Sequence, residues 1–301
     1  MDLVIMAAGL GSRFGGNKQI QSIDDDGNFI LDYSVFDAHR AGFDRAVLII
    51  REEHQSIFEG SVGSRLRKIM PVEYAYQRLE DVPAGTKIPV GRVKPWGTAH
   101  AVFSCRDIVS DKFAVINADD FYGLDTFKIL ANFLKTSSYD QFVSAGFKVK
   151  NTLSENGTVK RGIFNMNGNL ASSLIESSIK RAGGKILATP LGQDSWREIS
   201  PDTMVSMQCF GFSKKLIQAI AEKSKAFFAQ SMQGLDSSEF LLPDVVCDML
   251  NGDTTLQIIP TGSQWYGITF KEDLESLQNA ISKLKLKGEY PEHLYSVDTC
   301  K

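Results

Sequence analysis

The 301-residue sequence predicts an α/β protein with a mainly parallel sheet and helices on both faces. Apolar runs without alternation, such as Leu3–Ala8 and Ala46–Ile50, are typical of strands that are buried on both faces. Helical periodicity separates these runs, and the order strand, helix, strand favours parallel pairing. After residue 150 the pattern changes to short strands and turns, which predicts a β-rich insertion.

The first half is predicted to alternate strands and helices. A turn, interpreted as a hairpin, is indicated at Asp24–Gly27, and Asp32 suits the cap of a helix that carries Val35 and Phe36. The other helices are predicted around 57–69, from Gly97 to Phe103, and at 125–134. An irregular loop is expected at 77–96, which holds three prolines. The predicted strands of this half are 3–8, 46–50, 72–76, 113–117 and 142–149.

The second half is predicted to be richer in strands. Asn167-Gly168 is a typical hairpin turn, and short strands are expected on either side of it. We interpret the chain as one continuous domain, 1–301, with halves at 1–150 and 151–270 and a C-terminal helix and tail at 271–301. The predicted elements are strands at 158–164, 170–175, 205–212 and 256–259 and helices at 214–228, 239–250 and 271–284.

Composition excludes several classes of protein. The net charge is -3, which gives no support to binding of nucleic acid or of a membrane surface. No apolar run approaches the roughly 18 residues of a membrane span, and the apolar start lacks the basic flank of a signal peptide. The four cysteines do not lie in metal or redox spacing. A cytoplasmic protein is therefore expected.

A glycine-rich loop follows the first predicted strand, at Ala7–Gln19. Ligands of open α/β sheets bind at the carboxyl ends of strands, where this loop begins. Gly9 and Gly11 can adopt positive φ and let the backbone approach a ligand, so that several N–H groups face an anion. Arg13 and Lys18 add fixed positive charge. The loop is therefore predicted to bind phosphate groups.

Two commoner phosphate motifs do not fit this loop. A P-loop requires Lys directly after its last Gly, but Asn17 stands between Gly16 and Lys18. A dinucleotide fingerprint requires two residues between its second and third Gly, whereas three separate Gly11 from Gly15.

The pattern A-A-G-x-G-S-R-x-G-x-x-K resembles the signature loop of the sugar-1-phosphate nucleotidylyltransferases and their relatives. The resemblance implies a three-layer α/β/α, Rossmann-like fold with a nucleotide-binding first half and an acceptor-binding second half. It also implies that Arg13 and Lys18 hold a triphosphate and act in catalysis. The loop residues implied to line the nucleotide are Ala8, Gly9, Leu10, Gly11 and Ser12.

The strand that ends in Asn117-Ala-Asp119-Asp120 resembles a second motif of the same family. The resemblance implies that Asp119 binds Mg²⁺. The chemistry agrees, because Mg²⁺ prefers one or two carboxylates together with phosphate oxygens. Asp120 is expected to contact the acceptor or water, and Ala118 replaces the usual Gly.

Weaker matches extend the implied site. Gln77 lies where the family has a Gln that binds a pyrimidine base, and Gly97 and Thr98 belong to a segment that resembles the family's P-x-G-T-A-x-A. Glu176 and Gln208 lie where relatives contact the acceptor. The implied preference is for UTP or dTTP over CTP.

Two positions depart from the family pattern. Gly267 replaces an Asp that is the second metal ligand in many relatives, and Ser177 replaces a Lys that follows Glu176. Either another acid serves, or the metal is held by Asp119, phosphates and water, or catalysis is weakened. The charge missing at Ser177 has four candidate sources, which the sequence does not separate: Lys148, Lys160, Arg161 and Lys180.

The expected function is Mg²⁺-dependent transfer of a nucleotidyl group from a nucleoside triphosphate to a sugar 1-phosphate. Three alternatives stay open. These are a cytidylyltransferase for a phosphocholine-like acceptor, a catalytically weakened nucleotide-sugar binding protein, and a metal-dependent glycosyltransferase. The expected partners are small molecules, with neither nucleic acid nor a membrane, and the sequence does not indicate an oligomeric state.

Overall fold

The computed structural model describes residues 1–9, 22–154, 157–229, 235–268 and 271–296, with only the backbone described at 271–272. Its strands are β1 (Asp2–Met6), β2 (Arg45–Ile50), β3 (Val72–Tyr76), β4 (Lys112–Asn117), β5 (Asp120–Phe121), β6 (Gln141–Lys148), β7 (Val159–Asn167), β8 (Leu170–Ala182), β9 (Lys185–Pro190), β10 (Arg197–Ile199), β11 (Met204–Ser206), β12 (Phe210–Ser213), β13 (Thr255–Pro260) and β14 (Tyr266–Gly267). Its main helices are α1 (Ile30–Ala41), α2 (Thr98–Phe103), α3 (Leu124–Thr136), α4 (Lys215–Phe228), α5 (Leu242–Met249) and α6 (Lys271–Leu286).

One large sheet contains all but two of these strands, in the order β10-β9-β8-β7-β11-β6-β12-β4-β1-β2-β3, with β13 beside β6 and β8. Strands β3, β2, β1 and β4 are parallel, and β12 lies antiparallel between β4 and β6. Strands β7 to β10 form an antiparallel extension. The predicted α/β class, with a mainly parallel N-terminal sheet, is confirmed.

The surroundings of the β1 side chains explain why its sequence does not alternate between apolar and polar residues. Leu3 and Ile5 are fully buried in a core with residues of α1 and α3, whereas Val4 is fully buried in a second core with residues of α2, α4 and α5. Helices therefore cover both faces of the sheet, and each face requires apolar side chains. Within the described ranges, no helix is long and apolar enough to cross a membrane.

Three local predictions are wrong. Asp24–Gly27 forms a turn, but no strand flanks it among residues 22–29, so the hairpin is absent there. The helix predicted around 57–69 is a succession of short α, 3-10 and π turns. The strand predicted at 205–212 is broken between β11 and β12, because β11 lies between β7 and β6, whereas β12 lies between β6 and β4.

The cap of α1 differs in detail from the prediction. Asp32 lies inside the helix, and its Oδ2 accepts a hydrogen bond of 2.7 Å from the backbone N–H of Phe29, which is the N-cap residue. The same carboxylate pairs with Arg65 at 2.8 Å. Asp32 therefore caps the helix from its third position, as a Glu does in a capping box.

Candidate active site

The pairing of β1 with β4 brings two predicted motifs to one edge of the sheet. Met6 is opposite Asn117, and the N–H of Ala118 donates to the carbonyl of Met6 at 3.3 Å. After this pairing, the segment that follows β1 leads to Ala8 and Gly9, and the segment that follows β4 leads to Asp119. Both segments leave the sheet at the same edge. The start of the glycine-rich loop and the predicted metal ligand are thus neighbours.

Most of the glycine-rich loop lies outside the described residues. The predicted site residues that cannot be placed are Leu10, Gly11, Ser12, Arg13 and Lys18. Ala8 is buried and Gly9 is exposed. The φ of Gly9 is outside the left-handed region, so this residue does not use the positive φ that Gly permits, and a Cβ there would meet no described atom within 4 Å.

The two aspartates after β4 have different surroundings. Asp119 is partly exposed at the strand end. Asp120 is only 9% exposed, and its Oδ2 accepts a hydrogen bond of 2.9 Å from Asn117 Nδ2. Burial, followed by the charge of Asp119, raises the pKa of Asp120 to about 7. Asp120 was expected to contact the acceptor or water, and this contact stays a prediction for a carboxylate that is buried and bonded to Asn117.

Strand β14 covers the buried aspartate. Gly267 pairs with Asp120 across a two-stranded antiparallel sheet. A Cβ at Gly267 would lie 2.9 Å from Asp120 Oδ1 and 2.3 Å from the indole ring of Trp265. The space beside position 267, where the resemblance implies a second metal ligand, is therefore filled here by a tryptophan ring and the neighbouring carboxylate.

We expect Gly267→Ala to destabilise the fold by about 1–3 kcal/mol, because the added methyl group overlaps the Trp265 ring in a packed site. Thermal unfolding monitored by circular dichroism measures this change. Gly60→Ala is the matched control, since a Cβ at Gly60 meets nothing within 4 Å. Equal unfolding midpoints for the two variants would contradict the tight packing at Gly267.

Gln77 occupies a fixed orientation at the end of β3. Its Nε2 donates to the carbonyl of Gly97 at 3.0 Å and lies 3.3 Å from Nδ1 of His100. Nε2 of His100 lies 2.7 Å from the carbonyl of Asp81, which can only accept, so this nitrogen carries the proton. Burial lowers the pKa of His100, which keeps the ring neutral and leaves Nδ1 as an acceptor for Gln77.

These contacts settle which way the amide of Gln77 points. Both hydrogens of Nε2 face acceptors, and Oε1 accepts no hydrogen bond from the part of the chain that the structure describes. The side chain lines a cavity of about 260 Å³ together with Arg51, Arg78, Val93 and Trp96. Gln77 thus offers an acceptor to a ligand at this edge of the sheet.

The start of α2 depends on a glycine. Gly97 has φ 112°, and a Cβ there would lie 2.5 Å from the carbonyl oxygen of Phe240, so a larger residue would clash as well as strain the backbone. The hydroxyl of Thr98 accepts a hydrogen bond of 2.9 Å from the N–H of Leu242. Thr98, which was expected to bind the nucleotide, joins α2 to the start of α5.

The break between β11 and β12 places Gln208 in a strained conformation. Its φ is 57°, the one positive value for a non-glycine residue in the described ranges. Its Oε1 is buried and accepts no hydrogen bond from described residues. Such strain with an unsatisfied polar atom is typical of functional positions, and the acceptor role of Gln208 stays a prediction.

Glu176 lies on β8, opposite Gly162 of β7. Burial, followed by the charge of Asp244, raises the pKa of Glu176, whereas the charge of Arg161 opposes this shift. No hydrogen bond from the described residues contributes to this shift of the Glu176 carboxyl. Gly162 leaves room for this carboxylate, since a Cβ there would lie 3.1 Å from its Oε1.

The site contains residues that the sequence did not single out. His100 orients Gln77 from 23 positions away, and Trp265 fills the space beside Gly267. The helical spacing of His100 after Gly97 is a signal that could have indicated its proximity. The contact of Trp265 depends on the pairing of β14 with β5, for which the sequence carries no local signal.

Comparison with known proteins agrees with this arrangement. A family model described as nucleotidyl transferase matches residues 3–266. The sequence matches no curated protein. The structure is similar to the inositol-1-phosphate CTP transferase from T. maritima, with 14% identity, a TM-score of 0.63, and coverage of 94% of this chain and 96% of that one.

Two further solved structures show the same fold. One is a UDP-glucose pyrophosphorylase complexed with UDP-glucose, with 16% identity, a TM-score of 0.59, and coverage of 94% and 98%. The other is a putative glucose-1-phosphate thymidylyltransferase from Bacillus anthracis, with 15% identity, a TM-score of 0.60, and coverage of 93% and 94%. With the family model matching nearly the whole chain, this protein belongs to the nucleotidyl transferase family and is a nucleotidyltransferase.

Proposed function

We propose that the protein transfers a nucleotidyl group from UTP or dTTP to a sugar 1-phosphate, with release of pyrophosphate. The observation that carries the proposal is the pairing of β1 with β4, which brings the start of the glycine-rich loop beside Asp119. The solved structures of similar fold bear names of enzymes that act on a sugar phosphate, an inositol phosphate or a nucleotide sugar. The choice of triphosphate and acceptor for this chain is part of the proposal.

The reaction is an in-line displacement at phosphorus. An oxygen of the acceptor phosphate forms a bond to the α-phosphorus, and the bond from that phosphorus to the oxygen of the β-phosphate breaks. An ionised phosphate needs no general base, so catalysis rests on positioning and charge stabilisation. In this proposal Arg13 and Lys18 neutralise charge on the α-phosphate and on the departing pyrophosphate.

The donor set at Asp119 fits Mg²⁺ that is bound together with substrate. Among the described residues, no group of three or more His, Cys, Asp or Glu side chains is close enough to hold a metal by itself. Mg²⁺ usually takes one or two carboxylates and completes its shell with water and phosphate oxygens. Asp119 would supply the carboxylate, and bound Mg²⁺ would neutralise phosphate charge.

The orientation of Gln77 supports a preference for uracil or thymine. Because both hydrogens on Nε2 are used by Gly97 and His100, the amide can only accept a hydrogen bond from the ligand. The N3 position of uracil or thymine carries a hydrogen and can donate, whereas N3 of cytosine can only accept. A cytosine base would therefore place two acceptors together, which is unfavourable.

We expect Gln77→Leu to lower kcat/KM for UTP by roughly 10-fold, the effect of losing one neutral hydrogen bond to the base. The preference for UTP over CTP should fall by the same factor. Gln218→Leu on the exposed face of α4 is the matched control. An unchanged ratio of kcat/KM for UTP and CTP in Gln77→Leu would show that Gln77 does not select the base.

The replacement at Gly267 favours a second candidate function. Because this position brings no carboxylate to the site, the protein could bind a nucleotide sugar with little or no turnover. Asp120 does not replace the missing ligand, since it is buried and its Oδ2 accepts a hydrogen bond from Asn117. Tight binding of a nucleotide sugar without pyrophosphate release would favour this candidate.

A pyrophosphate-release assay tests the proposed function. It crosses UTP, dTTP, CTP and ATP with a panel of sugar 1-phosphates and phosphocholine, each with Mg²⁺ and with a chelator. Release that requires Mg²⁺, UTP or dTTP, and one class of sugar 1-phosphate supports the proposal. Release with CTP and phosphocholine alone would replace it by the cytidylyltransferase alternative.

A further inference from the structure

Arg161 lies opposite Ser177, the position at which the family pattern has a Lys and this sequence has no charge. In the pairing of β7 with β8, Arg161 is directly opposite Ser177. Residues directly opposite each other on antiparallel strands point to the same face, with Cβ atoms about 4.5–5.5 Å apart. The guanidinium of Arg161 therefore emerges from the neighbouring strand on the face where a side chain at position 177 would lie.

The other three candidates for this charge are bound elsewhere or exposed. Lys148 pairs with Asp202 at 3.1 Å, and Lys180 lies over the ring of Trp196 at 4.0 Å. Lys160 is exposed on the opposite face of β7 from Arg161. Arg161 is only 9% exposed, so its charge acts in a region that water reaches poorly.

The guanidinium is held in place by neutral groups. Nε and Nη2 donate to the carbonyl of Thr152 at 3.2 and 2.6 Å, and Nη1 donates to the carbonyl of Lys160 at 2.8 Å. Its Cζ lies 4.4 Å from the ring centroid of Trp265. Backbone and aromatic ring thus fix its plane, but within the described chain no carboxylate lies within 4.0 Å to form an ion pair with it.

Arg92, a second buried arginine, provides a comparison with a purely structural guanidinium. Arg92 is 8% exposed and uses all five N–H groups on backbone carbonyls, two of them on Nη1, two on Nη2 and one on Nε. Arg161 uses three, so two N–H groups have no acceptor among the described residues. An unsatisfied buried donor is costly, and a charged one more so.

A further unsatisfied donor lies in the same cluster. Nε1 of Trp265 is buried and has no hydrogen-bond partner in the described part of the chain. Burial lowers the pKa of Arg161 to about 10, while the charges of Asp120, Glu176 and Asp273 oppose the shift, so the guanidinium stays protonated at neutral pH. Unsatisfied donors and a fixed positive charge together form a site for an anion with several oxygens.

We propose that Arg161, supported by Trp265, binds the phosphate group of the acceptor and thereby replaces the charge absent at Ser177. The assignment rests on the proposed function. The missing side chain at Gly267 belongs to the same arrangement, because a Cβ there would overlap the Trp265 ring on which Arg161 stacks. Glu176 precedes Ser177 on β8 and points to the opposite face of the sheet, so the proposed phosphate site does not include it.

Steady-state kinetics of Arg161→Met with the triphosphate and acceptor that the wild-type enzyme uses test the assignment. We expect KM for the acceptor to rise roughly 10- to 100-fold, the cost of a lost charge-assisted hydrogen bond, with KM for the triphosphate within about twofold of wild type. Arg161→Lys, which keeps the charge but not the planar fork, should give a smaller rise. If Arg161→Met does not fold, the acceptor KM of Arg161→Lys tests the assignment instead.

Two further variants make the outcome specific. Arg197→Met removes an exposed arginine of β10 and should leave both KM values unchanged. Lys160→Met tests Lys160, the exposed alternative source of the charge. A rise in KM for the acceptor in Lys160→Met, without a rise in the Arg161 variants, would overturn the assignment. Absence of transfer by the wild-type enzyme with every acceptor would overturn the proposed function and this assignment together. Transfer with unchanged acceptor KM in both Arg161 variants would overturn the assignment alone.

Discussion

Asp119→Asn is expected to lower kcat by about 10²-fold or more, on the scale of removing one preorganised stabiliser of the transition state. The carboxylate lies at the end of β4, beside the start of the glycine-rich loop. In the proposed mechanism it is the protein ligand of Mg²⁺, and an amide oxygen is a weaker ligand because it carries no full charge. The measurement is kcat at saturating substrates over a series of Mg²⁺ concentrations.

The loss should be accompanied by a higher Mg²⁺ requirement. A merely structural role for Asp119 would change stability without changing the Mg²⁺ dependence of the rate. Asp253→Asn, at an exposed turn before β13, is the matched control and should retain wild-type kinetics. Near-normal kcat and Mg²⁺ dependence in Asp119→Asn would rule out Asp119 as the metal ligand.

Lys18→Met is expected to have an effect of similar size, a loss of about 10²-fold or more in kcat. The prediction rests on the sequence, since Lys18 lies outside the described residues. Its ammonium is proposed to neutralise the charge that develops on the α-phosphate and on the departing pyrophosphate, which is greatest in the transition state. The effect should therefore appear in kcat more than in KM for the triphosphate.

Lys87→Met, at an exposed position of the loop before α2, is the matched control for Lys18→Met. Both variants lose one positive charge, so a general effect of net charge would lower the rate equally in the two. A tenfold or smaller change in kcat for Lys18→Met, with KM raised instead, would indicate that Lys18 serves ground-state binding.

The sequence predicts the parallel part of the fold well, because buried strands have a local signature. Val72–Tyr76 is predicted with the bounds of β3, and the strand at 113–117 lacks only Lys112 at its start. The antiparallel extension is predicted less well. Strands β9 and β10 were not predicted, and β8 runs to Ala182 rather than Ile175. Their exposed faces carry polar residues, so pairing along the chain rather than composition defines these strands.

The break at Gln208 has a similar cause. Residues 205–212 are suited to a strand throughout, but Val205 pairs with β6 and β7, whereas Phe210 pairs with β4 and β6. The chain must therefore cross from one side of β6 to the other between these two positions, and Gln208 adopts positive φ there. Long-range pairing decides this change, and a single sequence does not contain it.

In the candidate site, too, some residues can be predicted from the local sequence, whereas others depend on long-range contacts. Asp119 is recognisable from its place at the end of a buried strand, and Gln77 from its place at the end of β3. Arg161 could not be separated from three lysines by sequence, because the separation depends on its register opposite Ser177 and on its burial against Trp265. Likewise, the orientation of the Gln77 amide depends on the tautomer of His100, which is set by the carbonyl of Asp81.

The fate of the α-phosphorus of UTP distinguishes nucleotidyl transfer from other reactions of the triphosphate. UTP labelled at the α-phosphorus is incubated with Mg²⁺, the enzyme and the sugar 1-phosphate selected by the pyrophosphate-release assay, and the products are separated by charge. We expect the label to appear in a nucleotide sugar, unlabelled pyrophosphate to form in equal amount, and Asp119→Asn to slow the formation of both by about 10²-fold or more. Label that stays in UTP, or that appears in UDP or UMP without a sugar attached, would contradict nucleotidyl transfer.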